Sequence, residues 1–198
     1  MGSRRMRGFS LIEMMVVVTI ILVVSGVAIM GMQPALQYSR VNNAYNTTLA
    51  AIRQTRDFAV GQRQQYSVTF SNAAVPNTIT ITQAGNGNVV TTYTLPTDVS
   101  FTAIAGIPAG ANAPDGFSVA GAISFDQGVA GGATNVIYFM PDGTAQDVNG
   151  NLNNGVIYIA RAGQLYSSHA ITVWGATGRL RGWRLYNNSA GTAYWRQN

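Results

Sequence analysis

The chain has 198 residues, 47% of them hydrophobic and 10% charged, with no cysteine, 12 arginines and no lysine. The missing thiols exclude disulfides and thiolate metal sites. The low charge is unlike that of a free cytosolic domain and suits an anchored or polymerising one. The formal charge of +5 overstates the basic character, because Arg4, Arg5 and Arg7 supply three of it and a chain without them carries +2.

Arg7-Gly8-Phe9-Ser10-Leu11-Ile12-Glu13 precedes an uncharged run from Met14 to Met32, in which Thr19 and Ser25 are the polar side chains. Its length suits a membrane-spanning helix, which takes about 20 apolar residues. β-branched residues are no obstacle there, since in lipid the backbone must satisfy its own hydrogen bonds and a helix does so. Arg4, Arg5 and Arg7 would hold the N-terminus in the cytoplasm by the positive-inside rule. A secretory signal peptide shares that basic start. Here, however, the apolar core is too long, an acid opens it, and no small-x-small site clearly closes it. A plain signal anchor explains the orientation but not Glu13, the only glutamate in the chain. A carboxylate costs about 3 kcal/mol at the bilayer centre and less near the interface, so it needs a partner or a task.

These residues closely resemble the N-terminal signature of type IV pilins and of the pseudopilins of type II secretion. The resemblance implies cleavage by prepilin peptidase after Gly8, N-methylation of the new terminus Phe9, and a hydrophobic helix that stays on the mature chain. It also implies that Glu13 pairs with the N-terminal amine of a neighbouring subunit in the filament. Such a pair satisfies a charge that is costly when alone among apolar helices, and it sets subunit register.

From Gln33 to about Gln62 the pattern stays helical and becomes amphipathic. Pro34 is expected to kink or loosen the helix, because it removes a backbone donor. Leu36, Val41, Ala44, Tyr45, Thr48, Leu49, Ile52 and Ala59 recur at three- and four-residue spacing and mark one buried stripe. Arg40, Arg53, Arg56, Asp57 and Arg63 fall mostly off it; Arg53 and Asp57 are spaced for a weak pair one turn apart, but a solvated helix face is the favoured reading of these charges. Gly61 is a plausible helix end.

After Gln65 the period changes to two. Tyr66–Phe70, Thr78–Thr82 and Val90–Leu95 read as strands, with a hairpin turn at Gly85-Asn86-Gly87. Further strands are expected over Val99–Ile104, Ala122–Phe125, Asn135–Met140, Gly155–Arg161, Ala170–Trp174 and Leu180–Tyr186. Ala105–Gly116 reads as a loop and Pro141-Asp142-Gly143 as a turn. The fold class is α+β: a long N-terminal helix packed on an antiparallel β-sheet head. The expected division is a leader over residues 1–8, a transmembrane segment over 9–33, the amphipathic half of the helix over 34–63 and a β-rich head over 64–198.

The order of Ile52-Arg-Gln-Thr-Arg-Asp-Phe-Ala, Tyr66-Ser-Val-Thr-Phe70, Ile137-Tyr-Phe-Met-Pro-Asp-Gly143 and Thr177-Gly-Arg-Leu-Arg181 is similar to that in the GspH/FimT pseudopilin family. Membership implies a membrane-anchored spine with a β-rich periplasmic head.

Catalysis finds little support. His169 is the only histidine, and no carboxylate is evidently placed to orient its ring. Asp147-Val-Asn-Gly-Asn-Leu-Asn-Asn-Gly155 superficially resembles a calcium loop. Leu152 stands where the turn glycine belongs and Tyr158 where the bidentate glutamate belongs, so an Asn/Gly-rich turn is the better reading. No enzyme activity, metal or cofactor is expected.

Near the C-terminus, Gly178-Arg-Leu-Arg-Gly-Trp-Arg184 places Arg179 and Arg181 on one strand face, with Arg184 close by and Trp174, Trp183, Tyr186 and Trp195 around them. Arginine forks suit phosphates and aromatic rings stack on bases. Within the family, Gly178, Arg179 and Arg181 match a Gly-Arg-x-Arg sequence that resembles the DNA-contact motif of FimT-like minor pilins. The same residues also read simply as the turn and exposed face of a last strand. Two functions follow. One is a minor pilin or pseudopilin, a structural subunit spanning the inner membrane once with its head in the periplasm. Its partners would be other pilins, prepilin peptidase and the assembly platform of a type II secretion pseudopilus or a type IV pilus. The alternative is a pilus-borne DNA receptor that uses Arg179, Arg181 and Arg184.

Overall fold

The computed structural model describes residues 9–117, 121–127 and 135–198. Gly8 and the three N-terminal arginines lie outside the described residues. The chain divides into two units, Met1–Ser39 and Arg40–Asn198.

Helix α1 spans Leu11–Gln62, and the expected loosening at Pro34 does not interrupt it. In the first unit every large apolar side chain described from Phe9 to Ile29 is exposed. Thr19 Oγ1 donates to the Met15 carbonyl at 2.8 Å, so this polar side chain is satisfied within the helix. Leu36, expected on the buried stripe, is exposed.

In the second unit the stripe is real. Val41, Ala44, Tyr45, Ala51, Ile52 and Ala59 are buried. Thr48 and Thr55 are buried with them, and their hydroxyls donate to the Ala44 and Ala51 carbonyls at 2.8 Å each. The helix ends one residue past Gly61. Arg63, not a glycine, takes the left-handed conformation (φ 53°), and the Gln64 N–H donates to the Ala59 carbonyl at 3.2 Å.

Two antiparallel sheets follow. The first comprises β1 (Tyr66–Ser71), β2 (Thr78–Gln83), β3 (Asn88–Thr94), β6 (Val136–Phe139) and β7 (Ala145–Gln146), in the order β3-β2-β1-β6-β7. The second comprises β4 (Ser100–Phe101), β5 (Ile123–Gln127), β8 (Asn154–Ala160), β9 (His169–Trp174), β10 (Arg179–Asn187) and β11 (Ala193–Gln197). Its order is β11-β10-β9-β8-β4, and β5 also pairs with β8.

The period-two pattern decides which residues meet. Val68 faces Ile81 and Phe70 faces Ile79 across β1 and β2, and all four are buried. These side chains join Ile157, Ile159, Ile171 and Val173 of the second sheet and the stripe of α1 in one core. Strand β8 is buried from Gly155 to Ala160 without alternation. Its odd-numbered apolar residues face that core, while Val156 and Tyr158 join Ala170 in a second cluster on the opposite face. Ile107, Phe117, Trp183 and Trp195 cover this second cluster. The loop from Ala105 therefore serves as a cover for the second sheet.

Two expectations need correction. The strand expected over Val99–Ile104 shrinks to Ser100–Phe101, because the chain leaves the sheet there for the covering loop and its two 3-10 turns, Gly110–Asn112 and Pro114–Gly116. Strands β7 and β11 were not expected: the first has two residues, and the second mixes arginine and glutamine with its aromatics. Arg53 and Asp57 follow the favoured reading of a solvated face: both are exposed and, among the described residues, they form no ion pair with each other.

Candidate functional site

The N-terminal candidate site is built on the first turns of α1. The Met14 N–H donates to the Ser10 carbonyl at 3.2 Å, which starts the helical ladder just after Phe9. Glu13 lies in the first turn, where unsatisfied N–H groups and the helix dipole favour an acid. Beyond it the exposed apolar surface is continuous. Among the described residues, α1 is the one helix long and apolar enough to cross a membrane.

The C-terminal candidate site is the strand Arg179–Asn187 with the turn before it. Gly178 has φ +59°, and a side chain there would meet the Gly143 carbonyl and, at 2.7 Å, Arg56 Nε. The turn between β9 and β10 thus lies against the turn between β6 and β7. Arg56 bridges the two, with Nε donating to the Gly143 carbonyl and Nη2 to the Thr177 carbonyl, each at 3.2 Å. Gly182 also has a packing role, since a side chain there would run into the Tyr45 ring of α1. Both glycines flanking Arg-Leu-Arg are therefore required by the fold itself.

The three arginines of the motif have different fates. Arg179 is exposed and lines an open cleft of about 410 Å³ with Arg53, Arg56, Asp57 and Thr177. Arg181 is committed. Its guanidinium is paired with the Asp115 carboxylate and lies 5.9 Å from the centre of the Trp174 ring. Asp115, 3% exposed, also accepts from Thr172 Oγ1 and from Trp174 Nε1, the latter at 3.1 Å. Arg184 stacks on Tyr186 at 5.2 Å and stands opposite His169 in the β9–β10 register. Sequence reasoning missed Asp115, Arg53 and Arg56 here. Asp115 sits between Pro114 and Gly116 in a stretch that reads as a generic turn, 66 residues from Arg181, and no periodicity links them.

His169 is buried beside the Tyr45 ring, at 5.0 Å between centroids, and its Nδ1 lies 2.9 Å from the Ser167 carbonyl. Burial pushes its pKa down to about 4 against the opposing pull of that carbonyl, and the nearby Arg184 charge lowers it further. It is a neutral core residue at physiological pH. Asp147 does not offer its oxygens outward: Oδ1 accepts from the N–H groups of Asn149 (2.8 Å) and Asn151 (2.9 Å), and Oδ2 from Asn151 Nδ2 (3.1 Å). These donors, the Asn151 side chain foremost, hold its carboxyl below the usual range. Among the described residues no group of three or more His, Asp or Glu side chains is placed to hold a metal.

Residues 3–29 match the family described as the prokaryotic N-terminal methylation motif. The chain is type IV pilin-like at its N-terminus. The match embraces Gly8, Phe9, Glu13 and most of the apolar run. No curated protein matches the chain. Among solved structures, that of the type IV minor pilin FimU of Pseudomonas aeruginosa (strain PAO1) is similar, with a TM-score of 0.46 and 12% identity, covering 75% of this chain and 89% of that one. At that identity and score, the N-terminal motif alone carries the pilin-like assignment.

Proposed function

We propose that this chain is a minor pilin or pseudopilin, a structural subunit of a type IV pilus or a type II secretion pseudopilus. The observation that carries the reading is the methylation motif over residues 3–29, set on a helix whose described large apolar side chains are all exposed as far as Ile29. An apolar surface of that extent is stable in lipid or against neighbouring apolar helices. Prepilin peptidase cuts after Gly8 and methylates Phe9. The helix then holds the subunit in the inner membrane with its β-rich part in the periplasm, as the arginines ahead of the cut direct. On extraction into the filament, Glu13 leaves the interface for an apolar bundle, where the amine of a neighbouring Phe9 compensates it. The subunit needs no catalytic group of its own, since the assembly platform supplies the work. Shearing filaments from producing cells tests the reading: the chain should co-sediment with them, and its complete retention in the membrane fraction of filament-bearing cells would contradict it.

A second reading, contact with DNA phosphates, is favoured by the exposed Arg179 beside Arg53 and Arg56 in one cleft. The pairing of Arg181 with Asp115 weakens the two-arginine version of that reading. A titration of duplex DNA against salt distinguishes the roles. Arg179→Ala should reduce the salt dependence by about one phosphate contact, and Arg181→Ala by less. Equal affinity of the wild type and the Arg179→Ala/Arg181→Ala double variant would remove this reading and leave the structural one standing.

A further inference from the structure

The pair between Asp115 and Arg181 is incomplete on the arginine side. Arg181 Nη1 meets Asp115 Oδ1, while Oδ2 accepts from Thr172 Oγ1 and, at 3.1 Å, from Trp174 Nε1. Arg181 Nε is buried and, among the described residues, has no hydrogen-bond partner. A guanidinium presents its N–H donors in a planar fork that fits a carboxylate or a phosphate two bonds at a time. Here the carboxylate gives one oxygen to the arginine and the other to its neighbours, so the fork is held by one arm. Arg181 still reaches solvent, with 27% of its side chain exposed against 3% for Asp115.

The carboxylate is delivered by the covering loop, in which Asp115 is the one charged residue between Ile104 and Phe117. Within that loop Ile107, Asn112, Ala113, Gly116 and Phe117 each donate a backbone bond to the carbonyl three positions back, so these bonds close on the loop itself. Side chains fasten it to the second sheet. The Phe117 ring lies 5.1 Å from that of Trp174, and the Pro108 carbonyl accepts from Trp195 Nε1 at 3.4 Å. Asp115 stands in the left-handed region (φ 51°, ψ 18°), where a non-glycine residue stays only if its surroundings hold it. The loop thus places its single charge, at a strained position, on one of the two arginines that share a face of β10.

We propose that Asp115 is an autoinhibitory carboxylate, occupying at Arg181 the position that a ligand phosphate would take, an inference that rests on the second reading above, contact with DNA phosphates. Carboxylate and phosphate compete for the same fork. The folded chain therefore presents Arg179, which is exposed, and withholds Arg181. Removal of the carboxylate charge converts a one-arginine contact into a two-arginine contact on one strand face. A pair that served only to pin the loop would leave the DNA contact unchanged when that charge is lost.

The test reads the slope of log affinity for duplex DNA against log salt, on the full chain in detergent micelles. Asp115→Asn keeps the shape of the side chain and an oxygen for Thr172 and Trp174 but drops the charge. It should steepen the slope by about 0.9, the equivalent of one added phosphate contact. Arg181→Ala should remove that whole gain in the Asp115→Asn background and change the wild type much less. An unchanged slope in Asp115→Asn would overturn the proposal. So would a gain that survives Arg181→Ala, since that would assign it to the lost negative charge alone. The wild type gives a second measurement that needs no variant of Asp115. At saturating duplex in low salt, the side-chain N–H resonances of Arg179 should shift and those of Arg181 should stay. An equal shift at both would show that Arg181 already contacts DNA and is not masked. Arg179→Ala separates the two ways of failing. If it leaves the wild-type slope unchanged, the DNA reading falls and the masking with it. If it lowers the slope while Asp115→Asn adds nothing, the masking alone is wrong.

Discussion

Asp115 shows how much one buried side chain can hold in place. It lies in the covering loop at φ 51° and gathers Thr172, Trp174 and Arg181 from two strands. Removing it strands a cation and two donors. Breaking a buried ion pair costs about 3–5 kcal/mol. Arg181 keeps a side-chain exposure of 27%, so Asp115→Ala should cost somewhat less, about 2–3 kcal/mol. Denaturant unfolding would read this, and a loss below about 0.5 kcal/mol would show that the pair is dispensable. Gly178→Ala should cost at least about 2 kcal/mol, because it adds left-handed strain to a clash with the Gly143 carbonyl. The sequence shows Gly178 as part of a Gly-Arg-x-Arg pattern but not why it must be glycine. That reason lies in a turn 35 residues away, and local spacing carries no trace of it.

His169 gives the residue scale its pH dependence. Its folded pKa of about 4 lies below the ordinary 6.5, so the unfolded chain binds the extra proton between those values. Its stabilising contribution is complete above pH 6.5 and is lost as the pH falls toward 4, about 3 kcal/mol in all. His169→Phe should flatten the melting temperature across that window. A slope unchanged from wild type would assign it to other groups. Asp142 and Asp147, whose carboxyls are held below 3.8, lose their contributions only at lower pH still.

At the scale of elements, α1 changes character along its length. Its first half has an apolar surface all round, whereas its second buries one stripe and exposes Arg40 and Arg53. Both patterns are visible in the sequence, because helical period and uninterrupted apolarity are local properties. The strands rich in threonine, valine and isoleucine are visible for the same reason. The sequence does not show β11, whose Ala-Tyr-Trp-Arg-Gln gains its place from β10 and from the aromatic cluster beneath it. Nor does it separate Arg179 from Arg181, because alternation puts them on one face and only the covering loop tells them apart. Glu13 belongs to this scale, as a single acid at the head of an apolar element. Glu13→Val should leave membrane insertion intact, since it makes the segment more apolar. It should reduce recovery in sheared filaments several-fold relative to the membrane-bound pool. Wild-type recovery would remove the pairing role.

At the scale of the whole molecule, the account joins two parts with different solvents: an apolar helix that needs lipid or other helices, and a two-sheet domain with its own core. The N-terminal motif supplies the physical link, because cleavage after Gly8 would create an amine on Phe9, four residues ahead of Glu13, while removing three arginines. The most direct test is mass spectrometry of the intact chain purified from membranes that contain an active prepilin peptidase. The account predicts a single species that starts at Phe9 and carries one N-terminal methyl group. A chain that still begins at Met1, or one cut beyond the apolar run, would contradict it.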